Sequence, residues 1–290
     1  MLSLHTNAAT LSAQNSIGRT QSSLSTSMTR LSTGFRINSA MDDAAGLQIA
    51  TRLKAQTSGM AVAMRNTQNS TSMLQTAEGA LDEVTNMLVR MKDLATQAFD
   101  ASSTDADKDA MQSEYSQLGA EIKNIMTKTT FGGKDLMIGG TLGTTGGMVF
   151  QIGASAGETM KLNLEASMKT AGTLDKALEG VSKSYKDSGA GAELNTAGAA
   201  NTIITTIASA VDSVATIRSS LGAAANRLDH VYNNLANIST NTKNATGRIM
   251  DVDFATESAN MTSKQMLMQA GTAMLKQTNS MSSMVMSLLQ

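Results

Sequence analysis

Apolar residues recur every seven positions along the first third of this chain. Leu53, Met60, Leu74, Leu81, Leu88 and Ala95 share that spacing, with Thr67 filling the gap. Ala63, Ala77, Val84, Met91 and Ala98 form a companion row. Two such rows make the seam of a coiled-coil-like helix. The spacing predicts a single helix over residues 42–99, with Ser39 and Asp42 reading as a capping box at its start. No proline interrupts it, because the 290 residues contain none. Proline removes a backbone donor and clashes with the preceding turn, so its absence permits unusually long helices.

The same period marks most of the remaining sequence. Leu4, Ala8 and Leu11 are spaced 4, 3, and Leu24, Met28, Leu31 and Phe35 are spaced 4, 3, 4. Thr104 and Asp107 predict a capped helix carrying Met111, Tyr115, Leu118, Ile122 and Ile125. Residues 197–246 hold Ile207, Val214, Leu221, Leu228 and Leu235 on a heptad grid, with Arg218 its one charged intruder. Leu267, Ala270, Met274, Gln277, Met281, Met284 and Leu288 repeat 3, 4, 3, 4, 3, 4 to the end. Mid-chain the period changes. Residues 131–147 contain seven glycines and read as loop. Met148, Phe150 and Ile152, then Met160, Leu162 and Leu164, alternate around G-A-S-A-G and predict a β-hairpin near 148–164.

The expected fold is mainly α: a long antiparallel helical rod folded back on itself, coiled-coil-like, with a small β-hairpin region mid-chain. Residues 1–40 and 251–290 are expected to pair as terminal helices. Residues 41–165 and 193–250 are expected to form the rod, and 166–192 a short surface segment. Two lone stripes of Met, Leu and Ala are marginal helices in water. They need a partner, either each other or another subunit.

Composition excludes several classes. Without cysteine there is no disulfide framework, iron–sulfur cluster, thiolate metal site or Cys nucleophile. Net charge is −1, from 23 basic and 24 acidic residues, which is no footprint for nucleic acid or an anionic membrane. No apolar run approaches the length of a membrane span. No Lys or Arg precedes Arg19 and no apolar h-region occurs, so no cleaved secretory signal is expected. His5 and His230 are the only histidines and neither sits in H-E-x-x-H. G-G-K-D at 132–135 fails as a phosphate loop at its last position. Asp42–Asp43 and Asp251–Asp253 suit helix starts better than acid–base chemistry. No catalytic residue, cofactor or metal is expected.

Residues 30–52, R-L-S-T-G-F-R-I-N-S-A-M-D-D-A-A-G-L-Q-I-A-T-R, closely resemble the N-terminal signature of bacterial flagellins. Agreement continues in Q-T-A-E-G-A-L at 75–81 and F-Q-I-G-A-S-A-G-E-T at 150–159. It resumes in S-L-G-A-A-A-N-R-L at 220–228, R-I-M-D-V-D-F-A-T-E at 248–257 and S-L-L-Q at 287–290. The resemblance implies a structural subunit, exported unfolded by the flagellar type III apparatus and polymerised outside the cell. It implies a minimal form, with 166–192 in place of the outer domains of larger members, as in some lateral-type filaments. It further implies cap and junction proteins as partners, an export chaperone at the C-terminal segment, and host innate immune receptors. The weighed alternatives are a hook–filament junction protein and a secreted enzyme on a helical scaffold.

Two sets of site residues follow. Leu4, Leu11, Leu24, Met28, Leu31, Phe35, Leu267, Met274, Met281 and Leu288 are expected to pack the filament's inner core. By resemblance, Leu88, Arg90, Leu94, Gln97 and Glu114 are expected to form a filament contact that the flagellin-sensing Toll-like receptor also reads. Met fills many stripe positions, and the chain holds 22. A flexible, polarisable side chain lets a stripe shift against its neighbour at little cost.

Overall fold

A computed structural model describes residues 8–187, 191–195 and 199–288, with the side chains at 199, 200 and 282–288 outside that description. The elements run α1 (Ala8–Thr33), α2 (Ala44–Phe99), α3 (Asp105–Lys128), β1 (Thr130–Phe131), β2 (Lys134–Asp135), β3 (Met148–Gln151) and β4 (Thr159–Leu162). They continue with α4 (Glu165–Met168), α5 (Thr173–Val181), α6 (Lys183–Asp187), α7 (Ala199–Met250) and α8 (Phe254–Leu288). The chain divides into two compact units, Met1–Thr57 with Thr240–Gln290, and Ser58–Ser239.

The 56 residues of α2 form one helix, as the heptads predict. Its many threonines bond their hydroxyls back to carbonyls four residues earlier, as in Thr57 to Leu53 and Thr85 to Leu81, both at 2.8 Å. Such back-bonding satisfies β-branched polar side chains without breaking the helix. The cap differs from expectation. Asp43 Oδ1 accepts the Gly46 N–H at 2.8 Å and starts the helix. Asp42 instead accepts the backbone N–H groups of Asn38 and Ser39, closing the turn before it. At α3 the expected box is present in both directions between Thr104 and Asp107.

In the larger unit, α2 and α7 run antiparallel, with Met60 and Ala63 against Leu235. Arg218 explains its place in the heptad grid here: it reaches Asp82 at 2.9 Å and Glu78 at 3.8 Å. Both heptad rows of α2 from Leu74 to Ala98 are buried, together with Tyr115 and Ile122 of α3 and Ile207, Val214, Leu221 and Leu228 of α7. Thr67 is also buried, its hydroxyl donating to the Ala63 carbonyl at 2.8 Å. The hairpin of β3 and β4 pairs Phe150 with Met160 and Met148 with Leu162. Phe150, Met160 and Leu162 point into the core. Its tip rests on α2 so closely that a side chain at Gly59 would begin 2.8 Å from Ala154.

Two features depart from the sequence reading. Within the glycine-rich stretch, β1 and β2 form a second hairpin, pairing Thr130 with Asp135. Gly132 and Gly133 join them with φ of 58° and 80°, the left-handed pair a two-residue turn requires. Strands of two residues are too short to leave a periodic trace. The segment 166–192 is not merely surface. Met168, Leu174, Leu178, Val181 and Tyr185 are buried in the main core. Tyr115 Oη donates to the Val181 carbonyl at 2.7 Å, and Tyr185 Oη donates to Asp175 at 2.9 Å. Burial raises both phenols well above their ordinary value. Short helices offer too few turns for their apolar spacing to stand out among Ala, Gly and Ser.

Candidate functional site

In the terminal unit, α1 and α8 lie antiparallel along a heptad seam. From α8 it takes Glu257, Met261, Lys264, Met268, Gly271, Leu275 and Thr278, spaced 4, 3, 4, 3, 4, 3 and all buried or half-buried. From α1 it takes Ala13, Ile17, Thr20, Leu24, Ser27 and Leu31. Small residues let the helices approach. A Cβ added at Gly271 would lie 2.8 Å from Ile17 Cγ1.

The seam is polar at the end nearest the connections. Lys264 Nζ donates to Ser27 Oγ at 2.9 Å and to the Ser23 carbonyl at 3.4 Å. Arg30 lies 3.9 Å from Glu257 and 3.7 Å from Asp42. Glu257 Oε1 and Arg30 Nε are buried without a hydrogen-bond partner. Sliding the helices by a turn would strand these charges without their counter-charges, a larger penalty than the loss of one apolar contact. Just beyond, Gly34 ends α1 in the left-handed conformation, with φ of 76°. Arg36 N–H donates to the Met250 carbonyl at 2.6 Å, and Val252 N–H to the Gly34 carbonyl at 3.0 Å. The Arg36 guanidinium adds a bond to the Ile249 carbonyl at 2.9 Å. These bonds tie the α1–α2 connection to the α7–α8 connection.

Asp253 starts α8. It accepts the Ala255 N–H at 3.0 Å and the Thr256 hydroxyl at 2.7 Å. The Thr256 hydroxyl first, then the backbone N–H groups, hold its carboxyl below the ordinary carboxylate value. A depressed folded value means that the cap is fully present above the unfolded value of 3.8 and is lost as pH falls through the lower folded one. Acid titration of α8 helicity, followed by circular dichroism, should therefore lose one component in Asp253→Asn. An unchanged acid limb would remove this role.

The other side of α8 carries a second stripe. Met266 is 60% exposed, Leu267 59%, Met274 67% and Met281 56%. At about 100° per residue, positions 266, 267, 270, 274, 277 and 281 fall within an arc of about 100°. Leu11 and Met28 of α1 are likewise exposed, at 54% and 56%, as are Phe35 and Phe254 in the connections. So much exposed apolar surface on one helix face is more than a lone subunit needs to leave uncovered.

The predicted inner-core residues therefore divide. Leu24 is buried and Leu31 half-buried. Leu11, Met28, Phe35, Leu267, Met274 and Met281 are exposed. Leu4 and the Leu288 side chain lie outside the described residues. The sequence reading picked the more apolar stripe of α8 and missed the seam. The seam's own heptad was there to be counted, but Glu257, Lys264 and Gly271 disguised it.

In the larger unit, the predicted receptor patch also divides. Arg90, Gln97 and Glu114 are exposed, and Arg90 Nε donates to Glu114 Oε1 at 2.8 Å across α2 and α3. Leu88 and Leu94 are corrected: they are 0% and 3% exposed and belong to the core beneath. Leu88 holds the heptad seam of α2 and Leu94 packs into the same core beside it, so neither can face solvent. Among the described residues, no group of three or more His, Asp or Glu is placed to hold a metal ion. No described helix is long and apolar enough to cross a membrane.

Comparison with known proteins accounts for this arrangement. Residues 4–141 match the bacterial flagellin N-terminal helical region, and 204–289 match the bacterial flagellin C-terminal helical region. Flagellin A of Vibrio anguillarum is 31% identical over 381 aligned residues, taking in all of both chains. B-type flagellin of Pseudomonas aeruginosa is 46% identical over 59% of this chain and 34% of its own. A solved flagellar hook-associated protein from Vibrio parahaemolyticus shares the fold, with a TM-score of 0.57 and 17% identity over 72% of this chain and all of its own. Matched at both ends and along its length, the chain belongs to the bacterial flagellins, the structural subunits of the flagellar filament.

Proposed function

We propose that each subunit uses the two faces of its terminal helices for two tasks. The seam pairs α1 with α8 inside one subunit. The outer stripes of α8 and α1 pack against neighbouring copies, and repetition of that contact builds a tubular filament outside the cell. One observation carries the reading: Leu267, Met274 and Met281 are exposed on a single face although the seam beside them is closed. Burying that face offsets the freedom lost when subunits associate. The test is electron microscopy of purified subunit added to short filament seeds. Long tubular filaments are the expected result. Short rings would favour a junction protein, and catalytic turnover without filaments would favour an enzyme.

Export unfolded through the type III apparatus belongs to the same reading. It is supported by a chain with no cysteine to cross-link in transit. Cap and junction proteins at the filament's ends, and an export chaperone at the C-terminal segment, complete the partners.

Arg90, Gln97 and Glu114 form the contact that neighbouring subunits and the flagellin-sensing Toll-like receptor share. Arg90 is the donor of that patch, held by Glu114. Both side chains are about half exposed, so their pairing adds little to stability. Arg90→Ala should then abolish receptor activation by monomer at an unchanged melting temperature. Retained signalling would refute the assignment. Arg90→Lys should restore only part of it, because lysine lacks the guanidinium fork.

A further inference from the structure

We propose that Met266, Met274 and Met281 form an oxidation site that governs assembly. A peroxide converts their thioethers to sulfoxides in the unassembled subunit, and the subunit then no longer adds to a filament. This inference rests on the assembly reading of the outer face of α8.

The chain has no cysteine, so its thioethers are the only sulfur a peroxide can meet. Among the described residues they divide by exposure, and the exposed ones of α8 form a group; Met28 of α1 and Met41 before α2, at 56% and 96%, are exposed singly. Met266, Met274 and Met281 are 60%, 67% and 56% exposed and share one face of one helix. Met91, Met126, Met137 and Met168 are at most 1% exposed, inside the larger unit. Oxidation follows access, so the first group reacts and the second is sheltered. The grouping matters more than the exposure of any one residue. Three positions on an arc of about 100° change together from apolar to polar.

The chemistry balances without a further component. The sulfur lone pair attacks one peroxide oxygen and the O–O bond breaks. The sulfur–oxygen bond forms, and the departing hydroxide takes the proton from the transferred oxygen to leave as water. Sulfur loses two electrons and the peroxide gains them. A sulfoxide reductase acting on each epimer, with a thiol reductant, reverses the change.

A sulfoxide is a strong hydrogen-bond acceptor. Among these positions only Gln277 carries a side-chain donor, so burying three sulfoxides between copies leaves acceptors unpaired. Leucine at the same positions keeps the volume and the apolar character but has no sulfur to oxidise.

The experiment treats full-length subunit with hydrogen peroxide until peptide masses show one added oxygen at each of the three residues. Helix content is checked, and elongation on filament seeds is then timed. The oxidised wild type should elongate at least about tenfold more slowly, with helix content unchanged. The variant Met266→Leu, Met274→Leu, Met281→Leu, with Met28→Leu added to remove the exposed thioether of the α1 stripe, should elongate at its untreated rate when treated alike, whereas Met28→Leu alone should stay sensitive. Reductase treatment should restore the wild type. Unimpaired growth of the oxidised wild type overturns the inference, and so does equal sensitivity of the leucine variant. The untreated glutamine triple variant at the three α8 positions separates the two readings. If it grows normally, the face is no assembly contact and both readings fall. If it is blocked while oxidised wild type grows, only the oxidation inference falls.

Discussion

Seeded filament growth is expected to stop when Leu267 and Met274 are both replaced by aspartate, with no loss of helix in the free subunit. These side chains are 59% and 67% exposed, so the isolated fold loses almost nothing when they change. On the proposed assembly contact, the same face is dry in the filament. An unpaired carboxylate taken out of water costs several kcal/mol. Two such penalties per subunit weaken addition by more than a thousandfold, at about 1.4 kcal/mol per factor of ten. Light scattering after seeding and circular dichroism of the monomer measure the two halves of the claim. Growth at the wild-type rate would mean that the outer stripe is not the contact. Gly271→Leu is the contrasting case. Its new side chain collides with Ile17, so it should lower monomer helicity before any seed is added.

Leu88→Ala should have the opposite signature. Leu88 is fully buried in the main core. Truncating a buried leucine costs about 2–5 kcal/mol, from lost transfer energy and the cavity left behind. The larger unit is Ser58–Ser239, a size at which each kcal/mol moves the melting temperature by about 2–4 °C. A fall of about 10 °C is therefore expected by thermal circular dichroism. Receptor activation measured well below the new melting temperature should be nearly intact, unlike that of Arg90→Ala. If Leu88→Ala instead lost signalling with an unchanged melting temperature, Leu88 would have to reach the surface. That would contradict its place in the α2 seam.

Legibility followed the physics of each element. The helix α2 was readable because its heptad rows run for many turns with a single polar gap in each, and the Thr104–Asp107 box because capping is local chemistry. The hairpin of β3 and β4 was readable from strict alternation. Asp42 and Asp43 were not separable, since both are acidic and adjacent. Choosing between them depends on backbone direction at one residue. The hairpin at Gly132–Gly133 and the helices within 166–192 are too short to show a period. Leu88 and Leu94 were placed on a surface by resemblance although the heptad spacing already assigned Leu88 to the seam.

Helix was written into this chain by the heptad spacing and the missing prolines, which are properties of local geometry. Its unfitness for metal–thiolate or disulfide chemistry was written into a cysteine-free composition. The two faces of α8 were not. Both carry heptad spacing, and a one-dimensional pattern reports that a helix has an apolar side, not which side meets which neighbour. Tertiary structure decided that the polar-studded stripe of Lys264, Gly271 and Leu275 closes on α1. There, charge pairing and small side chains favour one close, registered approach. The more apolar stripe of Leu267, Met274 and Met281 is left facing out, because α1, the helix paired with α8 in the terminal unit, already lies against its other side.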